Sequence, residues 1–247
     1  MRELLGARRR RVKELWIAEG LDPSPQLDEI ERFAARSHVR VSQVSRGRLL
    51  AAARTDSSQG VIAWADPLEE VPLESLAGDG QGRSASRSPA FLLVIDGVTD
   101  PHNLGALLRT AECAGVTGVV LGRHRAAHVT PTVAKVAAGA IEHLAIAVVP
   151  GIPSALSSIA DMGVMAVGLD AGAEHTVYDL GGDVHGPVAL VLGSEGRGIS
   201  PLARRRCADL VSIPQRGSIG SLNVAAAGAV ACFEIARRRS ARAPGEA

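Results

Sequence analysis

The chain has 247 residues, 46% of them apolar, and 27 basic side chains against 26 acidic ones for a formal charge of +1. This is enough apolar material for a full core, in one large domain or a large and a small one. The near-zero charge neither requires nor forbids a polyanionic partner. No apolar run reaches the roughly eighteen residues of a membrane span, and Met1-Arg-Glu-Leu-Leu-Gly lacks the apolar stretch of a signal peptide, so no membrane is expected and the cytoplasm is the expected location. Cys113, Cys207 and Cys232 are odd in number and widely spaced in helix-like segments. They are expected in the core, with neither a disulfide framework nor a metal site indicated.

Positive charge is concentrated in runs. The first comprises Arg8, Arg9, Arg10, Arg11 and Lys13, and because arginine forks suit phosphate geometry it is the expected RNA-contacting segment. Val12 to Ala18 then alternates like a strand, Pro25 to Arg36 has helical spacing, and Val39 to Val44 and Gly60 to Trp64 alternate again. Residues 1–67 therefore form a small α/β unit. From 68 to 90 the chain is acidic and then Gly/Ser-rich, the composition of a flexible linker.

Residues 91–247 alternate strand and helix. Strands are expected at Phe91 to Asp96, Val116 to Leu121, Leu144 to Val149, Val164 to Leu169, Val188 to Leu192 and Leu210 to Ile213. Helices are expected at Leu104 to Ala114, Thr132 to Ile141, Ser154 to Met162, Pro201 to Cys207 and Val224 to Arg238. Continuous apolar strands between helices mean a parallel sheet covered on both faces, the α/β class. Ligands of such sheets bind beyond the carboxyl ends of the strands.

Three loops at those ends carry the polar chemistry. After the first strand, Leu104, Leu107, Leu108 and Ala111 form a buried stripe, which turns Arg109 away from the core. Two readings of Arg109 are open: a solvated partner of Glu112 at i+3, or a cation facing a substrate or second subunit. After Val188 to Leu192, Gly193-Ser-Glu-Gly-Arg-Gly-Ile-Ser sets Glu195 among three glycines that let a backbone approach a ligand closely. Before the last helix, Ser218, Ser221 and Asn223 can orient a polar ligand; a plainer reading has Ser221 as the helix cap. Two such loops at strand ends suggest one shared pocket.

Asn103-Leu-Gly-Ala-Leu-Leu-Arg-Thr-Ala-Glu, Leu192-Gly-Ser-Glu-Gly-Arg-Gly-Ile-Ser and the stretch from Ile213-Pro to Ser221-Leu-Asn-Val resemble, in order and spacing, the three motifs of the SpoU/TrmH branch of the SPOUT superfamily, RNA ribose 2′-O-methyltransferases. The resemblance covers about residues 91–240. Residues 1–67 resemble the ribosomal-protein-like substrate-binding domain of its ribosomal RNA guanosine members. The Gly-Arg-His type segment that often precedes that unit is absent, so the first element is expected to be incomplete. The resemblance implies a deep trefoil knot, S-adenosylmethionine as cofactor, and a homodimer whose interface completes the site. It implies that Gly193, Ile213 and Leu222 hold the cofactor. Asn103, Arg109, Glu195, Ser221 and Asn223 would surround the reacting ribose.

The substrate implied is structured RNA, a guanosine of 23S ribosomal RNA first. The alternatives are an adenosine target of the thiostrepton-resistance type, a transfer RNA guanosine, or a non-catalytic ribosome-assembly protein. The six aromatic residues mostly lie in strand or helix runs and are expected in the core, so base stacking is a poor expectation beside arginine contacts to phosphates. His124 and His128 have i, i+4 spacing without a third ligand and are expected at the surface. The glycine pattern at 193–198 is not that of a dinucleotide turn, and no P-loop occurs.

Overall fold

The structure, a computed structural model, describes residues 1–53, 58–77, 89–124, 126–180 and 184–240. The amino-terminal unit runs α1 (Arg2–Ala7), β1 (Val12–Ala18), α2 (Pro25–Arg36), β2 (Arg40–Val44), α3 (Arg46–Ala52) and β3 (Val61–Ala65). Its sheet has the order β2-β1-β3, with β2 parallel and β3 antiparallel to the central β1. Helix α2 begins where Ser24 accepts the Leu27 amide and Pro25 supplies a preset φ at the first position. Leu15 and Ile17 point from β1 into a small core with Leu5 and Ala34, roofed by α1 and α2.

The second unit contains α4 (Glu74–Ala77), β4 (Phe91–Asp96), α5 (Pro101–Cys113), β5 (Gly118–Gly122), α6 (Pro131–Val136), β6 (Ala145–Val149), α7 (Ile152–Asp161), β7 (Met165–Leu169), β8 (His175–Thr176), β9 (Val188–Gly193), α8 (Pro201–Arg204), β10 (Asp209–Ser212) and α9 (Val224–Ser240). Its strands lie in the order β6-β5-β4-β9-β7-β10-β8, and every pairing is parallel. Successive strand residues serve opposite faces. Leu93, Ile95, Val119 and Leu190 pack with α5 and α9, whereas Leu92, Val94, Val120 and Ala189 pack with α7.

Most expected elements form, with three informative differences. The helix expected over Thr132 to Ile141 stops at Val136, because Ala138 (φ 52°) and Gly139 (φ 91°) turn through the left-handed region into a 3₁₀ turn at Ala140–Glu142. Part of the expected linker is packed: the Val71 amide donates to the Ile146 carbonyl (2.9 Å), and Leu76 and Ala77 are buried against the sheet. Residues 78–88, its Gly/Ser-rich part, lie outside the described residues. Cys113, expected in the core, is exposed at the end of α5.

Two members of the amino-terminal basic run, Arg9 and Arg10, help hold the two units together. Arg10 reaches the buried carboxylate of Glu142 and donates to the Asp66 carbonyl (3.1 Å), while Arg9 donates to the Leu144 carbonyl. Lys13 pairs with Asp66 at 2.7 Å, and His143 meets Glu3 at 2.8 Å. Of the residues expected to contact RNA, Arg9 and Arg10 are thus engaged by this chain's own acceptors, whereas Arg8, Arg11 and Lys13 are exposed, Lys13 with its surface pair to Asp66.

The carboxyl-terminal arginines are structural in the same way. Arg238 donates to the Leu180 (2.9 Å) and Tyr178 carbonyls, and Arg239 to those of Val184 (2.9 Å), Gly186 (2.7 Å) and Pro89. They tie α9 to three otherwise irregular segments. Among the described residues no helix is long and apolar enough to cross a membrane.

Candidate active site

Strands β4 and β9 are neighbours, with Asp96 opposite Gly193, so the loops that follow them leave the sheet side by side. Past β4, Asp100 accepts the His102 amide (3.0 Å) and Pro101 opens α5, which puts Asn103 in the first turn. Past β9 the chain folds back at once. Ser194 and Gly198 exchange backbone hydrogen bonds of 3.0 and 2.8 Å, and Gly196 and Gly198 adopt φ of 75° and 65°. A Cβ on Gly193 would lie 1.9 Å from the Gly198 carbonyl carbon, so this position must be glycine for the turn to close. The Asp96 carboxylate accepts the Ser200 amide (2.8 Å) and anchors the loop's far end. Glu195 is left exposed at the tip.

The third loop arrives on α9, which lies close against α5 and β9. A Cβ on Gly228 would stand 2.4 Å from a Leu107 methyl and 2.8 Å from one of Leu192. Asn223 caps this helix, its Oδ1 accepting the Ala225 (2.9 Å) and Ala226 (3.4 Å) amides, so the cap expected at Ser221 lies two residues later.

Three of the expected site residues meet in one hydrogen-bonded chain. The Asn223 Nδ2 donates to Asn103 Oδ1 (3.0 Å), and the Asn103 Nδ2 donates to Glu195. The order of donors and acceptors is imposed from both ends. Helix amides require an oxygen from Asn223, which turns its NH₂ toward Asn103; Asn103 must then offer its own NH₂ to the carboxylate.

The other expected residues are placed differently. Ser221 is exposed and has no hydrogen-bond partner among the described residues, so it does not join this chain. Ile213 packs partly against the core, while Leu222 is 43% exposed. Arg109 is exposed and makes neither the Glu112 pair nor any other ion pair or hydrogen bond among the described residues. At 100° per residue it stands about 120° around α5 from Asn103. Arg197 and Arg216, in the second and third loops, are likewise exposed and unpaired among the described residues.

Burial, and secondarily Asp96, push the Cys207 thiol up to about 11, so it stays protonated and offers no thiolate nucleophile. A cleft of about 1050 Å³ lies between the two units, lined by Leu27, Val61, Val129, Ile146 and others, away from the Asn103 chain.

Two family descriptions match this sequence: SpoU rRNA Methylase over residues 90–233, and RNA 2′-O ribose methyltransferase substrate binding over residues 2–71. The chain is 38% identical over 236 residues to the 23S rRNA (guanosine-2′-O-)-methyltransferase RlmB of Pseudomonas putida, covering 94% of this chain and 91% of that protein. It is 39% identical over 234 residues to the RlmB of Pseudomonas aeruginosa, covering 94% and 90%. Among solved structures, the SpoU methyltransferase AviRb of Streptomyces viridochromogenes in complex with AdoMet superimposes with a TM-score of 0.74 at 26% identity, over 96% of this chain and 87% of that one.

Proposed function

The chain belongs to the SpoU rRNA methylase family, and from that membership and its three converging loops we infer that it methylates the ribose 2′-hydroxyl of a guanosine in 23S ribosomal RNA, using S-adenosylmethionine. The substrate reading draws on the relatives named for that reaction and on the match of residues 2–71 to a substrate-binding domain. The observation that carries the site is the chain Asn223–Asn103–Glu195, which joins all three motif loops at the carboxyl ends of adjacent strands.

The residues present fit the cofactor. Leu222 and Ile213 offer apolar surface at the mouth of the third loop, and the turn after Gly193 brings backbone polar groups beside it. We assign these three to cofactor binding. When bound, S-adenosylmethionine supplies a methyl group already activated by its sulfonium, so alignment and handling of the hydroxyl proton remain for the protein.

Glu195, held by Asn103, accepts that proton or orders the group that does. Arg109, a permanent cation, stabilises the developing alkoxide and the adjacent phosphate. Asn103 and Asn223 fix the carboxylate's orientation, and Ser221 contacts the ribose. Because Asn103 and Arg109 occupy different sides of α5, Arg109 serves the site of a second copy. Exposed Ile219, Leu222 and Phe233 supply apolar surface for that homodimer. The trefoil knot, formed as the chain beyond β9 threads back toward α9, is part of the same reading; the non-sequential order β9-β7-β10 supports it. The protein acts in the cytoplasm, where its RNA is made.

The test is to map 2′-O-methyl groups on 23S ribosomal RNA from cells with and without the gene, and on RNA incubated with purified protein and cofactor. One guanosine mark should disappear and be restored. A mark lost from transfer RNA alone would overturn the assignment.

A further inference from the structure

The chain's two tryptophans, Trp16 and Trp64, lie together on the face of the amino-terminal sheet opposite α1 and α2. Register dictates this. Trp64 and Arg40 both pair with Glu14, and Ile62 and Ser42 with Trp16, so these side chains form two rows on one face while Leu15 and Ile17 fill the core on the other. The indole centroids are 4.4 Å apart at 58°, and the Arg48 guanidinium lies 4.6 Å from the Trp16 centroid on α3. Trp16 is thus held between a cation and a second indole, and Trp64 is 37% exposed. Burial in the core, expected for these residues, does not account for Trp64.

The surroundings are cationic. Arg46 and Arg48 have no ion-pair partner among the described residues, and they occupy the first turn of α3, where the macrodipole opposes positive charge and no acidic residue offsets it. Helix stability gives no reason for them there. Glu14, the carboxylate in the row, is engaged by Ser42 (3.0 Å) and Arg40 (3.9 Å), and hydrogen bonds from Trp16 and Ser42 hold it below the usual carboxylate range.

We propose that Trp64, backed by Trp16 and with Arg40 and Arg48 on the same sheet face, is a stacking platform for an unpaired nucleobase of the RNA substrate. An exposed indole can stack on the π-face of any base, and arginines on the same sheet face suit the phosphates of the strand that carries it. A base within a duplex presents no free face, so the platform selects single-stranded or looped RNA. The proposal rests on the reading of this protein as an RNA methyltransferase, and it assigns the amino-terminal domain a contact distinct from the basic run.

Both tryptophans belong to the platform, so the protein's entire indole emission reports on it. The full-length protein is titrated with a labelled mixed-sequence single-stranded 12-mer RNA and with the same RNA annealed to its complement, following anisotropy and tryptophan emission together. The single strand should bind and quench the emission, and the duplex should bind without comparable quenching. Trp64→Ala should weaken single-strand binding by about tenfold, while Trp64→Phe, which keeps a stacking ring and guards against a folding defect, should stay within about threefold of the parent. Single-strand binding without quenching, or Trp64→Phe binding as poorly as Trp64→Ala, would overturn the platform. Methyl transfer to 23S ribosomal RNA, measured on the same preparations, separates the two readings: activity without quenching removes the platform alone, and quenching without activity removes the enzymatic reading alone.

Discussion

Arg10 and Glu142 form an ion pair across the boundary between the two units: Arg10 Nε lies 3.1 Å from a Glu142 oxygen, and the two side chains are 16% and 2% exposed. A carboxylate so buried requires its partner. The second guanidinium contact, to the Asp66 carbonyl, makes the pair a bracket between the end of β3, the start of β1 and the turn after α6.

Arg10→Ala should therefore destabilise the protein by about 3 kcal/mol, because it leaves the Glu142 charge buried and unpaired. The double variant Arg10→Met, Glu142→Met should recover much of that loss. Urea unfolding of the two single variants, the double variant and the parent gives the coupling, and small-angle scattering shows whether the units separate.

The placement of the basic run predicts a division in salt dependence. Arg8→Gln and Arg11→Gln should each reduce the slope of log affinity for RNA against log salt by about one, because these side chains are exposed. Arg9→Gln should change stability and leave the slope alone. Filter binding between low and physiological salt checks both.

Asn223 has two functions that substitution can separate. Asn223→Ala loses the cap of α9, costing about 1 kcal/mol, and also the donor to Asn103. Asn223→Asp keeps an oxygen for the helix amides but has no NH₂. It should restore thermal stability and still lower methyl transfer by at least tenfold, as read by melting temperature and single-turnover kinetics.

Arg109 in the site of a second copy predicts complementation. Arg109→Ala and Glu195→Ala should each lose on the order of a hundredfold in turnover while still binding cofactor by calorimetry. Unfolded and refolded together, they should regain activity, because one of the two sites in a mixed dimer is then intact. No recovery would place Arg109 within its own chain's site. An Arg109→Lys enzyme with full turnover would count against a role for the fork itself.

Acid should weaken the last helix itself, whose carboxyl-terminal end is braced by the intrahelical pairs of Glu234 with Arg237 and Arg238. Arg237, with Arg238 behind it, holds Glu234 down to about 2. A carboxylate depressed by folding contributes stability that is complete above its unfolded value near 4.5 and is lost as pH falls toward 2. Glu234→Gln should flatten the urea midpoint across that window relative to the parent.

The alternation of apolar runs made the parallel sheet legible, since strands buried on both faces have to read as Val188 to Leu192 does. Helical spacing likewise predicted that Arg109 leaves the core, and the three motif loops were visible as clusters of glycine and small polar residues. Two local features were misread for lack of partners. Only Gly139 marks the left-handed turn that ends α6, and a single glycine amid helix-forming residues does not outweigh the apolar spacing on either side; Ser221 is as good a cap by composition as Asn223, which takes the position because α9 starts at Val224.

What the sequence determined by itself was whatever depends on neighbours along the chain: strand and helix periods, glycine-rich turns, and the residue types at the strand ends. Only the tertiary structure decided which charges are free. Arg10 and Arg8 belong to one run, yet Glu142, more than a hundred residues away, neutralises the first and leaves the second to solvent. The same holds for Trp64, which reads as an ordinary strand residue until the sheet turns it outward beside Trp16. Desolvation and pairing depend on distance in space, and periodicity carries no information about which distant acceptor will arrive.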